Sequence, residues 1–268
     1  AACTASAPPW RATHSRVRGV VGRSHARRPR KREWVARHGG AEAVQAALRQ
    51  RALALPRGDT SEIAQLPAES AAFLRRLASD TWRGLDGLRD RHSGLPFDTV
   101  TIAEPSEKNA LHISDYTTVT NIGLYLVAVV AARELGFIDA AGATARAEQI
   151  LATLEALETH EGFFFNYYDT TSRERSSDFV SFVDSSWLAA ALIVLRNAVP
   201  EVAPRASALF ERSDFAFFYD PNTGLMSHGS FTHLDRLSPY HYGLLYTEAR
   251  LGSLIAIGKG DVPTQHWY

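Results

Sequence analysis

The stretch NIGLYLVAVVAAREL, residues 121–135, carries apolar side chains on nearly every side of a helix. A helix of that kind is buried on several faces at once. Thr120 or Asn121 is placed to cap its start and Gly136 to stop it. Asp139 then caps a second helix through AAGATARAEQILATLEALE, whose Ile150, Leu151, Leu154 and Leu157 share one inward stripe. Directly behind this pair stands GFFFNYYDTTS, residues 162–172, five aromatic rings beside an asparagine, an aspartate and three hydroxyls.

The same scheme recurs downstream. SSWLAAALIVLRNA predicts a second buried helix, capped from Asp184 or Ser185, with a shorter helix through RASALFER after it. Another aromatic stretch follows, FAFFYDPNTGLMSHG, and its Tyr219-Asp220-Pro221-Asn222-Thr223 parallels Tyr168-Asp169-Thr170-Thr171. A third unit opens at Tyr242 with GLLYTEARLGSLIAIGKG. Repeated helix pairs imply stacked helical hairpins. The nearly all-apolar first helices predict an all-α chain, a two-layer α/α toroid whose inner ring is buried on both sides. Upstream, the spacing predicts helices over AEAVQAALRQRALAL and over Ala68–Leu88, the latter with Phe73, Leu74, Leu77, Trp82 and Leu85 on one stripe, and loop from Asp90 to Thr118.

Composition narrows the function classes. The 268 residues balance 29 Lys+Arg against 29 Asp+Glu. Residues 1–38 nonetheless hold ten of those cations and a single acid, Glu33, and lack apolar periodicity. They read as a disordered, solvated basic tail, a type of segment that also touches nucleic acid or anionic membrane. Residues 39–268, the expected toroid domain, are net acidic and do not read as a nucleic-acid binder. Cys3 is the only cysteine, which excludes an intrachain disulfide and a cysteine metal cluster. AAC at the start matches the remnant of a lipoprotein signal, in which Cys3 would carry a lipid anchor. Tyr116–Ala132, the longest uncharged run, is too short for a transmembrane segment.

No phosphate-binding loop, nucleophile elbow or HExxH zinc motif is present, and the ten histidines are scattered; no cofactor and no metal is expected. What remains is carboxylates among aromatics, amides and hydroxyls. Sugar rings have apolar faces that stack on Tyr, Trp and Phe, and hydroxyls that need Asp, Asn and Arg partners. Glycosidic cleavage then needs two carboxyl groups, one protonated and one ionised. Asp115, Asp169, Asp184 and Glu248 are the candidates by context. Asp184 equally suits an N-cap and Asp169 a turn. Glu248, among Tyr246, Thr247 and Arg250 on an apolar helix, is expected to be partly buried with a raised pKa, or else paired with Arg250 or Arg196. Phe163 and Phe165 are expected to pack inward while Tyr167 and Tyr168 face sugar.

Four segments in order, TTVTNIGLYLVAVVAARELGFI, GFFFNYYD, VSFVDSSWLAAAL and YTEARLGSLIAIGKGDVPTQHWY, resemble the glycoamylase-like family, which includes bacterial endo-β-1,2-glucanases and the cyclisation domain of cyclic β-1,2-glucan synthases. The resemblance runs from about Leu77 to Tyr268. It implies an (α/α)6 toroid and, for the hydrolases, inverting cleavage of β-1,2-glucan without cofactor. It marks Glu248 and Asp169 as cleft elements, and their context makes Glu248 the expected general acid and Asp169 the second acidic group. The resemblance points to Asn166 and Arg250 as cleft elements and to Asn121, Asp184 and Trp187 as shaping the cleft floor, and from their context Asp115, Tyr116, Tyr168, Tyr240, His241 and Tyr242 are expected as further substrate-binding groups. Asp184-Ser185-Ser186 departs from the Asp-Asn-Gly that family members often show, at a point where Gly would favour a turn. About seven helices are expected here against the twelve of a complete toroid, so the chain would hold its N-terminal half to two-thirds. A β-glucan polymer as substrate implies a periplasmic or secreted protein.

Overall fold

The computed structural model describes residues 66–102, 111–243 and 247–267. The basic tail with Cys3, the helix expected over AEAVQAALRQRALAL, and Tyr246 lie outside the described residues.

Among the described residues six α-helices alternate between two layers: α1 (Ala68–Gly87), α2 (Val119–Glu134), α3 (Ala140–Ala156), α4 (Phe182–Ala198), α5 (Ala203–Arg212) and α6 (Ala249–Lys259). The inner row is α2, α4, α6, and the outer row is α1, α3, α5. Helices α2 and α4 run parallel. The Thr120 hydroxyl meets Asp184 at their starts, and the Arg133 guanidinium meets the Ala198 carbonyl at their ends. The row is packed through glycine. A Cβ on Gly123 would lie 3.0 Å from Leu188 Cα, and one on Gly252 would lie 2.2 Å from Ser186 Oγ. Glycine weakens a helix by roughly 1 kcal/mol relative to alanine, and here it admits the neighbouring backbone.

Caps fall slightly earlier than the sequence suggested. Thr118, not Thr120 or Asn121, accepts from the Asn121 amide at the start of α2. Ser181, not Asp184 or Ser185, accepts from the Asp184 amide at the start of α4. The reason is the same in both: the strand before each helix ends on a hydroxyl residue in extended conformation, which suits an N-cap. Asp184, Ser185 and Ser186 therefore lie inside the first turns of α4 and form no turn of their own. Asp139 does cap α3, and Gly136, at φ 71°, follows α2 as expected.

Helix α1 covers the residues expected of it, but of its apolar stripe only Trp82 is buried; Phe73, Leu74, Leu77 and Leu85 are exposed. Its attachment is polar. Asp86 accepts from Arg146 at both oxygens (2.8 and 2.8 Å), from the Tyr125 hydroxyl (2.8 Å) and from Arg89 (3.1 Å). Trp82 stacks on Tyr125 beside this knot.

The expectation of an all-α chain needs correction. Short antiparallel ribbons interrupt the helices: 100–102 with 111–113, 116–118 with 167–169, 159–160 with 163–164, 229–231 with 179–181 and 236–237, and 225–227 with 219–220 and 241–242. Asp90–Thr118 is thus not only loop. These strands are two or three residues long, below what period-2 alternation can reveal. Strands 116–118 and 179–181 run directly into the N-termini of α2 and α4. The ribbons therefore gather at the inner-helix N-terminal end.

Candidate functional site

The aromatic stretch after α3 divides between core and surface. Phe163, Phe164 and Phe165 are all buried, so Phe164 joins the two that the sequence turned inward. Phe163 packs against Phe215, Phe217 and Phe218 of the second unit's aromatic stretch. Tyr168 is fully buried. Its hydroxyl donates to the Glu158 carbonyl (2.6 Å) and accepts from the Phe165 amide (2.8 Å). This corrects its assignment to sugar: strand pairing of 167–169 sends alternate side chains to opposite faces, and only Tyr167 points outward.

Tyr167 meets Tyr116 edge-on at 5.8 Å across the ribbon. With Asp115, Asp169 and Ser176 these two rings line an open cleft of about 350 Å³. The Asp115 carboxylate is exposed there, while its carbonyl is taken by the Thr170 amide and hydroxyl. Asp169 Oδ1 accepts from the Thr171 and Ser172 amides (2.8 and 2.6 Å). The Ser172 amide is the main cause holding this carboxyl below its usual range, so it is ionised across neutral pH. The turn reading of Asp169 holds, and the residue also lines the cleft. Asp220 in the second unit repeats this bond with the Asn222 amide (2.9 Å), as the parallel between the stretches implied.

A second group of side chains sits at the starts of α4 and α6. Trp187 donates its indole N–H to Glu248 Oε2 at 3.0 Å. Asp184 accepts from the Thr120 hydroxyl at 2.6 Å. Burial, then the charges of Glu248 and Asp184, raises the Tyr242 phenol above its ordinary range. Burial, then Asp98 and Asp184, does the same to Tyr167. Asp184 is therefore within electrostatic reach of both tyrosines and links the two groups. Glu248 is exposed rather than partly buried; its partner is the indole, while Arg250 stacks over Trp267.

The remaining expected residues fall around this end. Asn121 donates to Asp98 at 2.8 Å. Asn166 bonds through its amide to the Phe179 carbonyl, and its side-chain oxygen finds no hydrogen-bond partner among the described residues. His241 pairs with Asp220 at 3.1 Å, and Tyr240 is 70% exposed at the ribbon edge near His228. Asp98 was not singled out from sequence. It lies in a loop with no periodic context, and only its bond to Asn121 draws it in. Among the described residues no three His, Cys, Asp or Glu side chains converge as a metal site, and no single helix is long and apolar enough to cross a membrane.

Residues 76–220 match the family DUF3131, described as "Protein of unknown function". The chain belongs to the DUF3131 family. It is also 31% identical over 152 residues to the cyclic β-(1,2)-glucan synthase NdvB of Rhizobium meliloti, a match covering 56% of this chain and 5% of the synthase. Among solved structures it resembles a β-1,2-glucanase from Parabacteroides distasonis, with a TM-score of 0.54 at 15% identity over 71% of this chain and 28% of that one. It resembles equally an endo-β-1,2-glucanase from Chitinophaga pinensis, solved with sophorotriose and glucose. The TM-score is 0.54 at 14% identity, over 71% of this chain and 47% of that one. The family resemblance read from the four segments is thus borne out, and the solved structures share the fold. The chain spans less than half the length of each of these three proteins.

Proposed function

We propose that this chain forms part of a glycoside hydrolase of the β-1,2-glucanase type, with a β-glucan lying across the inner-helix N-termini of an α/α toroid. The observation that carries the reading is the Trp187–Glu248 hydrogen bond beside Asp184 and Tyr242, next to an aromatic cleft that holds a second, ionised carboxylate. The names of the relatives support the linkage, since the synthase and both glucanases are described by β-1,2-glucan.

The chemistry assigns unlike roles to the two carboxyls. The indole N–H occupies Glu248 Oε2, leaving Oε1 to carry a proton to the glycosidic oxygen. Asp169 is held as the anion by two backbone amides, which suits a group that orients water or a sugar hydroxyl and not a proton donor. An inverting outcome requires the two carboxyls to stand roughly 6.5–9.5 Å apart with water between them. Tyr116 and Tyr167 offer ring faces to pyranoses, and Asp115, Asn121, Asn166 and Asp184 offer hydroxyl partners. Tyr240, His241, Tyr242 and Arg250 extend the surface along the second ribbon. A polymeric glucan as substrate argues for a periplasmic or secreted protein.

A second reading has its own support. Glu248 is exposed to water, whereas a cleaving site closes around its acid and excludes water. On that reading the chain binds glucan without cleaving it. Glu248→Gln separates the two: under the first, turnover of linear β-1,2-glucan is lost while affinity stays within about threefold. A parent chain that binds glucan with no turnover at all supports the second.

A further inference from the structure

The last helical turn, Thr264–Trp267, is clasped to the rest of the fold by two adjacent side chains. His266 Nδ1 lies 2.7 Å from the Gly224 carbonyl, and its Nε2 lies 2.7 Å from Ser253 Oγ. A carbonyl only accepts, so Nδ1 donates to Gly224, and the Ser253 hydroxyl is the hydrogen-bond partner of Nε2. Tyr219 meets the imidazole edge-on at 5.6 Å and fixes its plane. The next residue, Trp267, lies under the Arg250 guanidinium, whose carbon is 3.6 Å from the ring centroid.

Arg250 and Ser253 are three apart and share one face of α6. His266 and Trp267 thus grip that face at two points, while Gly224 belongs to the turn whose following strand, 225–227, pairs with His241–Tyr242. Stacking engages the flat face of a guanidinium and leaves its N–H edge for hydrogen bonds. A fork held at a fixed angle suits two neighbouring sugar hydroxyls; a free arginine would lose side-chain entropy on making the same contacts.

We propose that His266 and Trp267 are positioning residues that hold Arg250 as a preset hydroxyl anchor for glucan. The inference rests on the glucan reading above and adds to it which group anchors the sugar and what holds that group.

The test uses the whole chain and linear β-1,2-glucooligosaccharides. Two quantities are measured: the dissociation constant, and the NMR shift of the Arg250 δ-methylene protons, which the Trp267 ring current moves upfield. Arg250→Ala, Trp267→Leu and His266→Ala should each weaken binding about tenfold. The latter two should also return the Arg250 signals to their ordinary position. His266→Ala combined with Arg250→Ala should bind no more weakly than Arg250→Ala alone, because both act through one group. Trp267→Phe keeps a ring and His266→Asn keeps the donor to Gly224, so both should bind within about threefold of the parent. An upfield Arg250 signal that survives His266→Ala, additive effects in the double variant, or unaltered affinity in Arg250→Ala overturns the clamp while leaving the glucan reading standing. A parent chain that binds no glucan overturns the glucan reading and the clamp's role with it.

Discussion

Gly252→Ala tests whether the close approach of α4 and α6 sets the Glu248 position. The added Cβ would lie 2.2 Å from Ser186 Oγ and 2.5 Å from Phe182 Cζ. The serine hydroxyl can rotate away, although it then gives up its 2.6 Å bond to the Phe182 carbonyl. The Phe182 ring cannot yield as easily, for it is fully buried and meets Phe215, Phe218 and Tyr242. The helices must therefore part by roughly 1 Å to restore ordinary carbon contacts of about 3.5 Å. Overpacking of this kind costs about 1–3 kcal/mol, and the better helix propensity of alanine returns about 1 kcal/mol. The net loss of stability should be about 0–2 kcal/mol. The functional effect should be larger, because a parting of that size stretches the 3.0 Å Trp187–Glu248 bond beyond hydrogen-bond range. Affinity for β-1,2-glucooligosaccharides, measured by calorimetry beside urea unfolding, should fall about tenfold. Gly258→Ala in the same helix is the control: a Cβ there meets nothing within 4 Å, so it should gain up to about 1 kcal/mol with unaltered affinity. Gly252→Ala behaving like Gly258→Ala would refute the packing argument.

Asp86→Asn should lower stability by about 2 kcal/mol at pH 7, by weakening the bonds from Arg146, Tyr125 and Arg89. Arg146 is the main cause holding the Asp86 carboxyl well below 3.8 in the folded state. Its contribution is thus fully present above about pH 4 and is lost as pH falls further. Urea unfolding of parent and variant at pH 7 and pH 3 should show the gap narrowing in acid, and a constant gap speaks against the charge argument. Tyr168→Phe leaves the Phe165 amide without its buried acceptor and should cost about 1–3 kcal/mol, with glucan affinity unaltered where the chain stays folded. Tyr167→Ala should do the reverse, weakening binding about tenfold or more while its melting temperature stays within a few degrees; equal behaviour of the two tyrosine variants counts against the division of faces.

The helices were legible because each carries a period long enough to read. Residues 121–135 and 185–198 announce a buried row, and Gly136 and Asp139 mark the end of α2 and the start of α3 where the structure has them. The ribbons were not legible. A three-residue strand such as 116–118 has no alternation to detect, and its partner, 167–169, lies fifty residues away. That pairing decided the fate of Tyr168, since neighbouring tyrosines are equivalent in sequence until a strand assigns them faces. The helix caps were missed for the same reason: Thr118 and Ser181 become N-caps because a strand delivers each in an extended conformation. The site was legible as chemistry, in carboxylates among aromatics, but not as geometry. Nothing in the spacing of Trp187 and Glu248, 61 residues apart, foretells their hydrogen bond.

The central claim is that the inner-helix N-terminal end of this fold binds β-1,2-glucan. Its most direct test is calorimetric titration of the chain with linear β-1,2-glucooligosaccharides, with β-1,3-linked oligomers of equal length as the control. The account predicts saturable binding of the β-1,2 series that is weakened in Tyr167→Ala and Trp187→Ala and is much stronger than for the control. Equal affinity for both series, or binding that survives loss of both aromatic side chains, would contradict it.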